Sequence, residues 1–478
     1  MTQQLASFSI SPSQRHLLID RQGELEKQLY RLVPQLIPRV VEVQQIASAL
    51  PASSALIEFQ RYAPFDGTKS KSSPWGKPRY LALVLKANGS VTAIDLGSAA
   101  VIEERIQQAL RATQEQLSDA NQLWGQVGKQ VLDPLGPALK GVQTLFVSPD
   151  GELNRIPFTA LPAPGGKALL ADALQLRLLT TGRELLDLAQ PRSQAKTAAL
   201  VVANPAFDQL ASNASVPAVR PADPVEPPFG IGGQQRSADL GSLRWSALPG
   251  TAKEGQAIAA LTGATLLSGS QASATAIEKQ AAPRILHIAS HGYFLANQPA
   301  SPPGKRSSSN SGLPPMGSLP AANLQAESPL LRSGIVLAGA NKASAGASLS
   351  NSDRGDDGYL TALEITQLDW KGTELVVISA CESGKGDIQA GEGVYGLKRA
   401  IAVAGARSSL LSLWKVDDAA TAAFMQSFYE KLKSGQGRAD ALSATQKEFR
   451  NHSDSGWRHP YVWAAFQLSG DWGPIPGI

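Results

Sequence analysis

Short apolar runs with no polar face constrain this chain more than any other feature. Leu375 to Ala380 (LVVISA), Arg284 to Ser290 (RILHIAS), Ser409 to Trp414 (SLLSLW) and Ala198 to Ala203 are each six or seven residues long. A strand wetted on one side alternates apolar and polar residues. These runs do not alternate, so both of their faces must be covered. Val394, Leu397, Ile401 and Ala404 recur at helical spacing between two of the runs and stop at Gly405. Phe424, Met425, Phe428 and Leu432 do the same and stop at Gly435. Strands alternating with helices predict an α/β fold, doubly wound, with a mainly parallel sheet.

The upstream part carries the same signature. Ala55 to Phe59, Tyr80 to Leu85, Val91 to Leu96 and Thr144 to Ser148 read as strands, and Val101 to Leu117 as a helix. Near the end, Tyr461 to Leu468 (YVWAAFQL) reads as a last strand. Leu25, Leu29, Leu32, Leu36 and Val40 predict a short helical segment within residues 1–50, interrupted at Pro34 and Pro38. Two tracts rich in Pro, Gly and Ser, 209–241 and 298–357, read as loops, the second holding a short strand at Gly334 to Leu337. A chain of 478 residues is too long for one ordinary core. The expected division is an N-terminal segment 1–50, a first half 51–205, a linker 206–241 and a second half 242–478 with a disordered insertion near 298–357.

Composition narrows the function. Hydrophobic residues are 43% and charged residues 18%, the balance of a folded globular protein. The net charge is +4 and no dense basic run occurs, so nucleic acid is not an expected partner. No segment reaches the ~20 apolar residues of a membrane span. The first residues lack a basic stretch followed by an apolar one, so no signal peptide is expected. Cys381 is the single cysteine, which leaves no internal disulfide and no multi-cysteine zinc site. The expected compartment is the reducing cytoplasm.

In open α/β sheets, sites form beyond the carboxyl ends of strands. His291 and Cys381 each follow one of the buried runs, so both are expected at one sheet edge despite the 381 − 291 = 90 residues between them. A thiol beside an imidazole is the arrangement of nucleophilic catalysis. Gly292 allows close backbone approach, and its N–H with that of Cys381 would hold an oxyanion. Competing motifs are weaker. Gly391, Gly393 and Gly396 match GxGxxG, but ten residues separate them from the strand. His287 and His291 have HxxxH spacing, but Ile288 stands where a zinc peptidase needs Glu.

Further segments carry a resemblance. His287 to Gly292 (HIASHG) and Leu375 to Gly384 (LVVISACESG) resemble the histidine and cysteine motifs of the CHAT family of caspase-like, separase-related peptidases. Leu248 to Glu254 (LPGTAKE), Gly391 to Leu397 (GEGVYGL), Ala404 to Ala406, Ser412 to Asp418 (SLWKVDD) and His459 to Phe466 (HPYVWAAF) follow in that family's order. The resemblance extends from about Leu50 to Trp472. It implies a cysteine endopeptidase in two related halves, the first non-catalytic, with His291 and Cys381 as the dyad and no cofactor. It implies a protein substrate, an activating or repeat-containing partner protein, and a role in bacterial signalling, stress or defence; the alternative is a latent or non-proteolytic scaffold of the same fold that binds a partner protein. Asp417 and Asp418 read first as a helix N-cap and second as a wall of the substrate pocket, where an acid would select a basic residue. Glu382 and Asp387 border the cysteine and are further pocket candidates. His459, before Pro460, reads as structural.

Overall fold

A computed structural model describes residues 40–68, 74–166, 168–209, 240, 243–295, 329–344, 356–379, 381–382 and 391–478. The loop tracts fall largely outside these residues, as do Pro34, Pro38 and the apolar series up to Leu36. Of the N-terminal segment, α1 (Val43–Ala49) is described.

The strands are β1 (Ser54–Tyr62), β2 (Arg79–Lys86), β3 (Val91–Ser98), β4 (Thr144–Ser148), β5 (Gln175–Leu178), β6 (Leu200–Pro205), β7 (Thr265–Gly269), β8 (Ile285–Ala289), β9 (His291–Phe294), β10 (Ser333–Val336), β11 (Tyr359–Thr361), β12 (Leu375–Ile378), β13 (Cys381–Glu382), β14 (Ser408–Ser412) and β15 (Phe466–Gly470). An 11-stranded sheet has the order β3-β2-β1-β4-β5-β15-β14-β12-β8-β6-β7. It is parallel except at β1–β2, β2–β3 and β14–β15. Two blocks of this sheet meet at β5 and β15, which pair at the single position Leu178↔Ser469. Strand β6, from the end of the expected first half, lies between β8 and β7 in the second block. A smaller sheet has the order β11-β10-β9-β13.

The fully apolar runs are buried on both faces. Along β12, Leu375 and Val377 join one core cluster while Val376 and Ile378 join another. Along β6, Val201 and Ala203 face the first cluster, and Leu200 and Val202 the second. Burying one such side chain stabilises by about 1.5–3 kcal/mol, so each run fixes its strand firmly between two helical layers. The first layer includes α2 (Ala99–Gln114), α3 (Ala120–Val131), α4 (Pro249–Thr262), α7 (Asp418–Lys433) and α8 (Arg438–Arg450). The second includes α6 (Gly391–Ala404), through Leu397, Ala400, Ile401 and Ala404. The short α5 (Ala340–Ser344) follows β10.

One expected strand is different. Tyr461 to Leu468 divides into a helix, α9 (Pro460–Trp463), and the strand β15 that begins at Phe466. His459 is the reason. Its Nδ1 accepts from the Tyr461 N–H at 3.1 Å, and Pro460 occupies the first turn, where its missing N–H costs nothing. The His459 Nε2 donates to the Leu117 carbonyl at 3.0 Å, so this histidine is structural.

Candidate active site

β8 and β12 are adjacent and parallel, paired from Leu375↔Ile285 to Ile378↔Ile288. Both therefore end at one edge of the sheet. The chain does not end its strand pairing there. It enters the smaller sheet, where β13 runs parallel to β9 with Cys381 opposite His291 and Glu382 opposite Gly292. Backbones in neighbouring strands lie about 4.8 Å apart, so residues 90 apart in the chain become immediate neighbours. On its other side β9 pairs with β10, Val336 opposite His291 and Ile335 opposite Gly292. The buried Ser290 hydroxyl donates to the Val336 carbonyl and ties the turn between β8 and β9 to β10.

His291 is 1% exposed. Its Nε2 lies 2.8 Å from the Ser246 carbonyl oxygen. A carbonyl only accepts, so this bond places the neutral ring's proton on Nε2 and makes Nδ1 the basic nitrogen. Two aromatic rings pack against it, Phe207 at 5.1 Å and Trp245 at 5.4 Å. Burial pushes its pKa below the usual histidine value. The Ser246 carbonyl opposes this, Lys415 reinforces it, and Asp418 opposes it. The imidazole is thus neutral at pH 7 and able to accept a proton.

Asp417 is the N-cap of α7, accepting from the Ala419 and Ala420 N–H groups at 3.0 and 3.1 Å. Asp418, the next residue, is half-buried and contacts the start of α4. A Cβ on Gly250 would collide with the Asp418 side chain and lie 2.7 Å from its Oδ2, so only glycine permits this approach. Glu382 is placed by its backbone pairing with Gly292, and Asp387 lies outside the described residues. His287 is separate from the site. Its Nε2 lies 3.0 Å from Glu254 Oε1 on α4, and its Nδ1 lies 3.2 Å from the Tyr429 hydroxyl on α7. With both nitrogens engaged in the core, it does not converge with His291.

Sequence reasoning missed Phe207, Trp245, Ser246 and Asn341. A signal existed in Phe207 and Trp245, which flank the Pro, Gly and Ser-rich tract on either side. A large aromatic at the border of such a tract needs a surface to cover.

The fold is of the α/β class, and Cys381 pairs with His291 in the smaller sheet beyond the carboxyl ends of β8 and β12. A family profile described as the CHAT domain matches residues 117–471, and the chain belongs to that family. Two curated proteins are similar over a shorter stretch. Human tetratricopeptide repeat protein 28 is 34% identical over 128 residues, 27% of this chain and 5% of the relative. Its mouse counterpart is 34% identical over 111 residues, 23% of this chain and 4% of the relative. The chain therefore spans a small fraction of the length of these relatives. Among solved structures, separase from Saccharomyces cerevisiae, in complex with securin, aligns at TM-score 0.46 and 10% identity, covering 90% of this chain and 30% of the other. Gingipain R, an Arg-specific cysteine proteinase, aligns at TM-score 0.33 and 10% identity, covering 78% of this chain and 74% of the other. Among the described residues no helix is long and apolar enough to cross a membrane.

Proposed function

We propose that this chain is a cysteine endopeptidase that hydrolyses a peptide bond in a protein substrate through His291 and Cys381. The observation that carries the reading is the pairing of Cys381 with His291 across β13 and β9, beside a histidine whose Nε2 is already bound to the Ser246 carbonyl. In this reading Nδ1 takes the Cys381 thiol proton, and the thiolate attacks the substrate carbonyl. The Gly292 and Cys381 N–H groups hold the oxyanion. The imidazolium then protonates the leaving amine. Water hydrolyses the resulting thioester, with Nδ1 taking its proton and returning one to sulfur. No cofactor enters this scheme.

Asp418 is the acid we assign to the substrate pocket first, because it acts on His291 and its neighbour Asp417 is committed to the helix cap. Glu382 and Asp387 are its proposed companions, and together they would favour a basic residue before the cleaved bond. The first half, without a cysteine, has a supporting role. A repeat-containing partner is proposed from the tetratricopeptide repeat proteins that are similar to part of this chain.

The test compares wild type, Cys381→Ala and His291→Ala, each verified as folded, incubated with a proteome from the source cell. New protein N-termini are read by mass spectrometry. Termini produced by wild type alone, lost in both variants, are the expected outcome, and the residues before them report specificity. Identical termini in all three would reject peptidase chemistry at this pair. A partner-binding scaffold would then be the better account.

A further inference from the structure

We propose that Asn341 is the positioning residue for His291, holding in place the two chain segments that contact the imidazole. Its catalytic consequence rests on the peptidase reading above, but the positioning itself does not.

Asn341 sits in α5, directly after the strand β10 that pairs with β9, and is 4% exposed. Its polar groups bind on both sides of the 210–239 tract. Before the tract, the Asn341 backbone N–H donates to the Phe207 carbonyl at 3.0 Å, and Nδ2 donates to Asp208 Oδ1 at 3.0 Å. After it, Oδ1 accepts from the Trp245 N–H at 2.8 Å and Nδ2 donates to the Trp245 carbonyl at 2.9 Å. The Asn341 carbonyl accepts from Arg244 Nη1 at 3.0 Å. The side-chain amide thus grips the backbone of one residue, Trp245, from both ends.

The gripped segments are the ones that touch His291. Phe207 and Trp245 supply the two rings packed against it, and Ser246, next after Trp245, supplies the carbonyl on Nε2. Ser246 and Ala247 are themselves exposed, so burial does not fix that carbonyl. The Trp245 ring adds one further tie, Nε1 to the Tyr359 hydroxyl at 2.9 Å on β11. An amide is required at position 341, because one atom must donate to two oxygens while the other accepts from an N–H. Asp would turn the donor into a second acceptor facing the Trp245 carbonyl and the Asp208 carboxylate. Ala would leave Trp245 without its clamp.

The experiment uses the full chain labelled with ¹⁵N-histidine, with the His291 imidazole signals assigned by His291→Gln. Wild type is expected to show one tautomer, protonated at Nε2, and ionisation below the ordinary histidine range. Asn341→Asp and Asn341→Ala, checked for folding by circular dichroism, are expected to show mixed tautomers. Their ionisation should move up toward the ordinary range as water reaches the ring, with Lys415 and Asp418 the charges still felt. Asp208→Ala, at an exposed residue, removes one tie and should give a smaller change in the same direction. Wild-type His291 signals in folded Asn341 variants would overturn the proposal. If those variants do not fold, a wild-type tautomer in Asp208→Ala would overturn it instead. Alkylation of Cys381 by iodoacetamide separates the two readings. A fall of about tenfold or more alongside the tautomer change fits a displaced general base. A tautomer change with unaltered alkylation keeps Asn341 as the residue that sets the ring and counts against the dyad.

Discussion

His291 feels two charges of opposite sense, and that allows a sharp test of its surroundings. Lys415 lowers its pKa and Asp418 raises it. Lys415→Met should therefore move the His291 titration to higher pH, and Asp418→Asn to lower pH. The imidazole C–H chemical shift followed against pH measures both. Shifts of the same sign, or none, would show that these side chains do not act on the ring as their positions imply. If His291 is the base of the reaction, alkylation of Cys381 should rise with pH through the same titration. Imidazolium cannot accept the thiol proton, so the neutral form above the pKa is the working one. A residue such as Asp418 is hard to read from sequence. Asp417 and Asp418 are chemically identical, and only the geometry of the α7 N-terminus gives the cap to the first and the histidine to the second.

At the scale of elements, caps and turns decide where the buried runs begin and end. Asp417 satisfies two N–H groups at the start of a 16-residue helix packed between α4 and α8. Asp417→Ala should lower stability by about 1 kcal/mol, the usual cost of losing such a cap, as measured by denaturant unfolding. Cys381 labelling should be little affected, since Asp418 and the helix remain. A loss of several kcal/mol would mean that Asp417 has a further role. The helix α9 shows the same physics against the apolar pattern. Tyr461, Val462 and Trp463 suit a strand by composition, but His459 and Pro460 provide a helix start that composition does not register.

On the scale of the whole molecule, a buried cation, Lys398, ties the two blocks of the sheet together. Lys398 on α6 is 3% exposed. It donates to Asn154 Oδ1 and to the Leu179 carbonyl, both at 3.3 Å and both from the first block. Burial lowers its pKa to about 8 from 10.5, and Glu184 and Glu58 oppose that fall. The unfolded chain thus keeps, between about pH 8 and 10.5, a proton that the fold has released. Stability should rise with pH across this window. Lys398→Met should lack that rise relative to wild type in urea unfolding between pH 7.5 and about 10. Parallel pH profiles for the two proteins would mean that Lys398 stays charged in the fold.

The sequence by itself determined the α/β class and the covered strands, because an apolar run with no polar face has one stable location, between two layers. It also determined that residues 291 and 381 would meet. Both follow runs of that kind, and parallel strands in one sheet end at one edge. Tertiary structure decided the rest. Strand β6 pairs with β7 and β8 rather than with strands of the first half, and its own apolar content does not name those neighbours. The contact of His291 with Phe207, Trp245 and the Ser246 carbonyl, gripped by Asn341, depends on hydrogen bonds among residues as far as 133 positions apart. A local pattern of hydrophobicity carries no record of such pairings, since they arise only when the fold brings their donors and acceptors together.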